Sequence, residues 1–214
     1  MPRTARLTRD DWAAAALTAL TEGGSAAVAV EPVAARLQAS KSSFYWLFDN
    51  RDALLAAALE RWERVQTEEV LPRLAAVPDP ADRLRVLIHH AFASTQGSSL
   101  ALLLLVESDQ PAVREVAERV TRRRLAAIRD TLVECGQTPE HARHIATAAY
   151  AVYLGTAALR RVDAAPDDED ASAYIDTVLT AFGVPPRTGD ASHRPATPHA
   201  QPADPAAARR GIGR

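Results

Sequence analysis

Residues 30–55 read VEPVAARLQASKSSFYWLFDNRDALL, and this stretch restricts the fold more than any other. Ser40 and Asn50 are residue types whose side-chain oxygens accept from first-turn amides, so each marks the start of a helix. Glu31 and Pro32 open an earlier one that runs to about Leu37, because proline is well tolerated in a first turn. Between the two caps, Lys41, Ser42 and Ser43 precede Phe44, Tyr45, Trp46, Leu47 and Phe48, a dense aromatic cluster in a chain that is only 5% aromatic. Phe44 and Phe48 stand four residues apart and share one helical face. The segment therefore reads as a short helix, a tight turn, a second short helix over 41–48 and the start of a long third one.

The same period of about 3.6 recurs along most of the chain, and no stretch alternates as a half-buried strand would. A first helix starts at Thr8, with Asp11 placed to complete a capping box, and ends before Gly23-Gly24. Leu55, Ala58, Leu59 and Trp62 make the apolar stripe of the helix that follows Asn50, and Pro72, Pro78 and Pro80 mark its exit. Further helices are expected at about 81–95, 99–107, 111–134, 139–161 and 171–182, with Gly136 and Thr138-Pro139 as a stop and restart. From Gly183 onward periodicity is lost among Pro, Ala, Gly, Arg and His, as in a disordered tail. The expected fold is all-α: a helix-turn-helix domain over 1–50, a helical domain over 51–182 and a tail over 183–214.

Composition narrows the classes. The 214 residues are 47% hydrophobic and 24% charged, with a mean hydropathy of −0.15, which suits a globular chain with a real core. The longest apolar run, 100–106, is far too short to span a bilayer, and 145–159 also falls short. The start lacks a secretory pattern and Cys135 is the single cysteine, so a cytoplasmic location is expected. The net charge of −2 permits nucleic-acid binding without advertising it. Its distribution matters more: Arg3, Arg6 and Arg9 form a basic arm, Lys41 (the only lysine) and Arg51 flank the aromatic helix, and the acidic residues Asp167, Asp168, Glu169 and Asp170 lie far away.

A helix-turn-helix needs a short first helix, a brief turn and a second helix docked by its inner face. Phe44 and Phe48 can anchor that face, with Leu47 beside them. Lys41, Ser42, Ser43 and Tyr45 are then left near the leading side, where Ser, Lys and Tyr can meet phosphates or base edges. Trp46 fits a sugar or thymine methyl, or the core. Spacing alone leaves a DNA-reading helix and an ordinary aromatic-rich packing helix both open.

The residues Val33-Ala34-Ala35-Arg36-Leu37, Ser40-Lys41-Ser42-Ser43-Phe44-Tyr45-Trp46-Leu47-Phe48 and Asn50-Arg51-Asp52-Ala53-Leu54-Leu55 resemble the tetracycline-repressor (TetR) family of transcriptional regulators. The resemblance is specific over 7–62 and continues as a helix count to Phe182. It implies a three-helix DNA-binding domain joined by helix four to a helical ligand-binding and dimerisation domain. It also implies that Lys41, Ser42, Ser43, Tyr45 and Trp46 face the DNA major groove, and that Arg51 meets a phosphate. Two positions depart from the family pattern: Gln38 stands where glycine is common in the turn, so a differently shaped turn is expected, and Leu47 replaces a polar residue or histidine.

A ligand-responsive homodimeric repressor that binds a palindromic operator and is released by a small molecule is the function expected. The dimer surface is expected on helices 139–161 and 171–182, with Ala146, Ala149, Tyr150, Tyr153, Leu154 and Ala157 as its small-and-aromatic face. Pocket candidates are Trp62, His89, Phe92, Gln96, Glu107 and Tyr150. No cofactor is expected. No metal site is expected either: His141 and His144 could share a helix face but lack further ligands, and His89-His90 diverge. Cys135 is read as a small buried filler and Arg122-Arg123-Arg124 as a solvated face. An all-helical enzyme built on His89, His90, Glu107, His141 and His144 is the rival from another class, without a nucleophile–base pair or phosphate loop to support it. A helical interaction module that has lost DNA binding is a third.

Overall fold

In a computed structural model the described residues are 7–166 and 170–184, with only the backbone described at Thr95 and Gln96. They are helical, with no strand among them. Arg3, Arg6, Asp167, Asp168 and Glu169 and the tail beyond 184 lie outside them.

Local chemistry sets most of the helix boundaries. Helix α1 (Arg9–Ala27) starts on the expected capping box: the Asp11 amide donates to Thr8 Oγ1 (3.2 Å) and the Thr8 amide to the Asp11 carboxylate (2.7 Å). It breaks where expected, with Gly24 at φ 71°, a conformation costly to any residue with a Cβ. Helices α2 (Val30–Arg36) and α3 (Lys41–Tyr45) follow, and α3 is one turn shorter than its aromatic run. The turn between them keeps the left-handed geometry: Gln38 sits at φ 52°, while the Ala39 amide reaches back to Ala34 O and the Gln38 amide to Ala35 O. This is the double hydrogen bond of a Schellman stop, made here by a residue that bears the steric cost glycine avoids. The differently shaped turn expected from Gln38 is not found.

Asn50 caps α4 (Arg51–Glu63) by accepting from the Ala53 amide (2.9 Å). This helix does not exit at Pro72. It widens into a π-helical turn at Arg64–Glu68 and continues as α5 (Val70–Ala75). Pro72 has no amide to donate, and its ring would press on the carbonyl of Glu68 four residues earlier, so the chain changes register ahead of it. The remaining helices are α6 (Pro80–Ala93), α7 (Thr95–Val106), α8 (Pro111–Glu134), α9 (Pro139–Arg160) and α10 (Ala171–Ala181). Gly136 (φ 91°) and Gly183 (φ 77°) close α8 and α10 with Schellman-type bonds, and Val184 is buried just past the second.

Helix α1 lies along α4, α8 along α9, and α4 runs on to meet α8, so one continuous core joins both halves. Three expectations about helix faces are overturned. Ala146, Tyr150, Tyr153 and Ala157 point into their own chain and are buried, while the outward face of α9 carries Thr147, Ala148, Ala151, Gly155 and Ala158. The reason is that α9 packs against both α7 and α8, which claim its larger residues. The Arg122-Arg123-Arg124 run is not uniformly solvated: Arg123 pairs with Glu63 and Glu68, and Arg124 turns inward. Cys135 is exposed at the C-cap of α8, where no element covers it.

Candidate nucleic-acid interface and ligand cavity

The α3 end is built on buried aromatics. Phe44 is fully enclosed, with its ring 5.4 Å from Trp12 and stacked 5.5 Å from Phe48. Burial of two such rings supplies on the order of 2–3 kcal/mol each, enough to dock a helix too short to be stable alone. With Phe44 and Phe48 inward, the helical period sends Tyr45 and Trp46 outward, where they are 64% and 78% exposed. Two large aromatics left bare side by side cost hydrophobic free energy and make a ready contact surface.

Ser40 caps α3 by accepting from the Ser43 amide (3.3 Å), the Ser43 hydroxyl donates to Ser40 O (2.6 Å), and the Ser40 and Ser42 hydroxyls share a hydrogen bond (2.8 Å). Lys41 is exposed and paired with Glu31 of α2, whose carboxyl is held below its ordinary range by that hydrogen bond and charge. Lys41, Ser42, Tyr45 and Trp46 thus lie together on the exposed side of α3 and its C-cap; Ser43 is half-buried.

Two arginines do other work. Arg9 folds back, its guanidinium 4.3 Å above the Phe48 ring and donating to Leu47 O (2.8 Å), so it clamps the end of the α3 segment from behind. Arg51 donates through Nε to Val28 O (2.9 Å) and through an amino group to Ser25 O, and it pairs with Asp52. Its fork is engaged in tying the start of α4 to the end of α1, which leaves little of it to meet a phosphate.

Ser25 is a joint that sequence reasoning missed. It is buried, its carbonyl accepts from Arg51, its amide donates to Glu107 Oε2 (2.9 Å) and its hydroxyl accepts from Gln110 Nε2 (2.5 Å). Glu107 therefore belongs to this joint, and a Cβ on Gly24 would collide with its carboxylate. A lone serine after two glycines carries no sequence signal for such a role.

A cavity of about 80 Å³ lies between the π-helical turn, α5, α6, α8, α9 and α10. Leu71, Leu84, Leu87, Ile88, Ile128 and Val178 supply apolar wall; Thr67, His90, Arg124, Tyr150 and Tyr153 supply polar atoms. Of the sequence candidates, Phe92 and Tyr150 line it. His89 faces a separate, more open hollow with Arg160 and Tyr174, so the adjacent histidines do diverge. Trp62 is buried beside the cavity, with Arg124 5.2 Å from its ring centroid. The Gln96 side chain lies outside the described residues. His141 and His144 are exposed, and among the described residues no three His, Cys, Asp or Glu side chains gather as a metal set.

The cavity and the helix-turn-helix end are joined through α4. Glu63 is buried, with Arg119 donating to both its oxygens (2.6–3.1 Å) and Arg123 to one (3.3 Å). Those hydrogen bonds, Arg119 first, hold its carboxyl below the ordinary range against the opposing effect of burial. One turn on, Arg124 donates to Thr67 Oγ1 and to Gln66 O, both at 3.1 Å, and so satisfies a carbonyl of the widened turn.

Residues 13–58, which hold most of α1, all of α2 and α3 and the first half of α4, match the model of the bacterial regulatory proteins of the tetR family. No curated protein matches the chain. Among solved structures, a putative TetR-family transcriptional regulator from Rhodococcus sp. is 20% identical, covering 82% of this chain and 97% of that one at a TM-score of 0.62. SmeT, the repressor of the Stenotrophomonas maltophilia multidrug efflux pump SmeDEF, is 24% identical over 82% and 90%, at 0.60. FadR from Bacillus subtilis, solved with stearoyl-CoA, is 16% identical over 82% and 97%, at 0.63. These structural likenesses establish the shared fold. No helix of the described residues is long and apolar enough to cross a membrane.

Proposed function

We propose that this chain, a tetR-family DNA-binding regulator by its N-terminal domain, acts as a homodimeric repressor that leaves a palindromic operator when a small molecule fills the cavity beside α4. The observation that carries the reading is the bare face of Lys41, Ser42, Tyr45 and Trp46 on α3 and its C-cap, a segment anchored by the buried Phe44 and, just beyond the helix, Phe48. The anchor fixes the helix rigidly and the exposed side chains offer a cation, a hydroxyl and two flat rings to a groove.

The homodimer uses the outward faces of α9 and α10, where Ala148, Ala151, Gly155, Ala158, Ala173 and Ala181 allow close approach of a two-fold mate. That symmetry sets two reading helices on successive major grooves, about 34–36 Å apart. A ligand that favours the unbound spacing shifts the population through α4.

Fluorescence anisotropy against DNA flanking the protein's own gene tests this. A palindrome bound with an affinity that falls steeply with salt supports the reading. Absent or salt-insensitive binding across that region points instead to a helical module without a DNA target.

A further inference from the structure

Among the described residues the cavity wall carries one permanent charge and no carboxylate to neutralise it. Arg124 spends its hydrogen bonds on neutral acceptors, Thr67 Oγ1 and Gln66 O, and lays its guanidinium over Trp62. Among the described residues no Asp or Glu lines the cavity, and Arg124 forms no ion pair. On the same helix, Arg119 and Arg123 both reach Glu63. A half-buried guanidinium facing apolar wall attracts an anion far more strongly than one in water, because little solvent screens it. Tyr150 and Tyr153 add phenol hydroxyls on the opposite helix; the Tyr150 hydroxyl shares a hydrogen bond with Thr121 (3.4 Å), and burial pushes the Tyr153 phenol above its ordinary range.

Taking the ligand-responsive reading as its basis, we propose that the cavity receives a compact apolar carboxylic acid in its ionised form, with Arg124 pairing the carboxylate and the leucine- and isoleucine-lined wall enclosing the body. One guanidinium with phenol donors matches a single negative charge; a phosphate dianion calls for more cations than the wall provides. Size argues for a small body. A dry cavity of about 150 Å³ holds a benzene ring; about 80 Å³ is roughly half of that, so even a single ring or short branched chain enters only as the surrounding helices move apart. A carboxylate that draws on Arg124 competes with Gln66 O, and so acts on the widened turn of the same continuous helix that begins at Arg51.

The test titrates the full-length protein with phenylacetate and 4-methylpentanoate, with phenylacetamide and 4-methylpentanamide as neutral partners and 2-phenylethylamine as the cation. Calorimetry and tryptophan fluorescence report binding. The acids are expected to bind at least about tenfold more tightly than their amides, as a charge-assisted pair requires. That preference should disappear in Arg124→Gln and persist in Arg124→Lys, with melting temperatures checking that each variant folds. Amides or amine binding as well as the acids, no binding of any probe, or a preference that survives Arg124→Gln would each overturn the proposal. If Arg124→Gln does not fold, the acid-to-amide ratio of the wild-type protein decides alone. A parallel operator titration separates the two readings: DNA binding without acid binding removes only the ligand class, and acid binding without DNA binding removes only the regulator.

Discussion

Phe44 and Phe48 stack 5.5 Å apart beneath Trp12 and are closed to solvent, whereas Phe92, Tyr150 and Tyr153 stand tilted or edge-on around an open cavity. Both clusters are aromatic and both hold helices together. The first is closed to solvent and anchors α3; the second leaves unfilled space between its helices. Rigid packing suits a surface that must present side chains in register, and incomplete packing suits a site that must respond.

That contrast can be broken most directly at its centre. Phe44→Ala should cost about 3–5 kcal/mol, since a fully enclosed ring leaves a void between α1 and α3. Tyr150→Ala should cost no more than about half as much, because its removal enlarges a cavity already present; chemical denaturation of both variants measures this, and equal losses would erase the distinction.

Next in size is the link between the clusters. Glu63→Gln should lower stability by about 1–2 kcal/mol at neutral pH, a figure kept small because Arg119 and Arg123 are over a third exposed. The Glu63 carboxyl is depressed in the folded state, so its contribution is present above the ordinary glutamate range and is lost as pH falls through the lower folded value. Melting curves of wild type and variant should therefore converge on acidification; curves that stay parallel would remove Glu63 from the account.

A smaller effect is confined to binding. Lys41→Ala and Tyr45→Ala should leave the melting temperature and the dimer unchanged. Operator affinity should fall about tenfold in each, and the salt slope should drop by about 1 for the lysine alone. Unfolding in either variant would make α3 a packing element. The smallest expected change is a gain: Gln38→Gly should stabilise by about 0.5–1 kcal/mol, the left-handed strain relieved less the entropy glycine adds to the unfolded chain. A destabilised Gln38→Gly protein would mean that the glutamine side chain has a favourable role of its own.

The helix-turn-helix end was largely legible beforehand, and the cavity was not. Thr8, Ser40 and Asn50 cap where expected, and Phe44 and Phe48 face inward, because caps and i, i+4 faces depend on residues only a few positions apart. Arg9, read as part of a basic arm, and Arg51, expected to meet a phosphate, turn back onto Phe48 and the end of α1. A flexible arginine near a helix end goes to whichever acceptor the neighbouring element presents, and that acceptor lies dozens of residues away. Tyr153 was assigned to the subunit surface and lines the cavity, since an alanine-rich helix shows no strong apolar stripe to say which side is inside.

Composition, helical period and caps were enough to make this chain all-α, to place most of its helix boundaries and to set an aromatic anchor behind an exposed helix. All of these follow from bonds and contacts within a turn or two. Which arginine meets a carboxylate and which is left facing a cavity was decided only by tertiary packing. Glu63 and Arg119, like Thr67 and Arg124, are more than fifty positions apart, and only where α4 and α8 meet does one guanidinium find a partner and the next find a void.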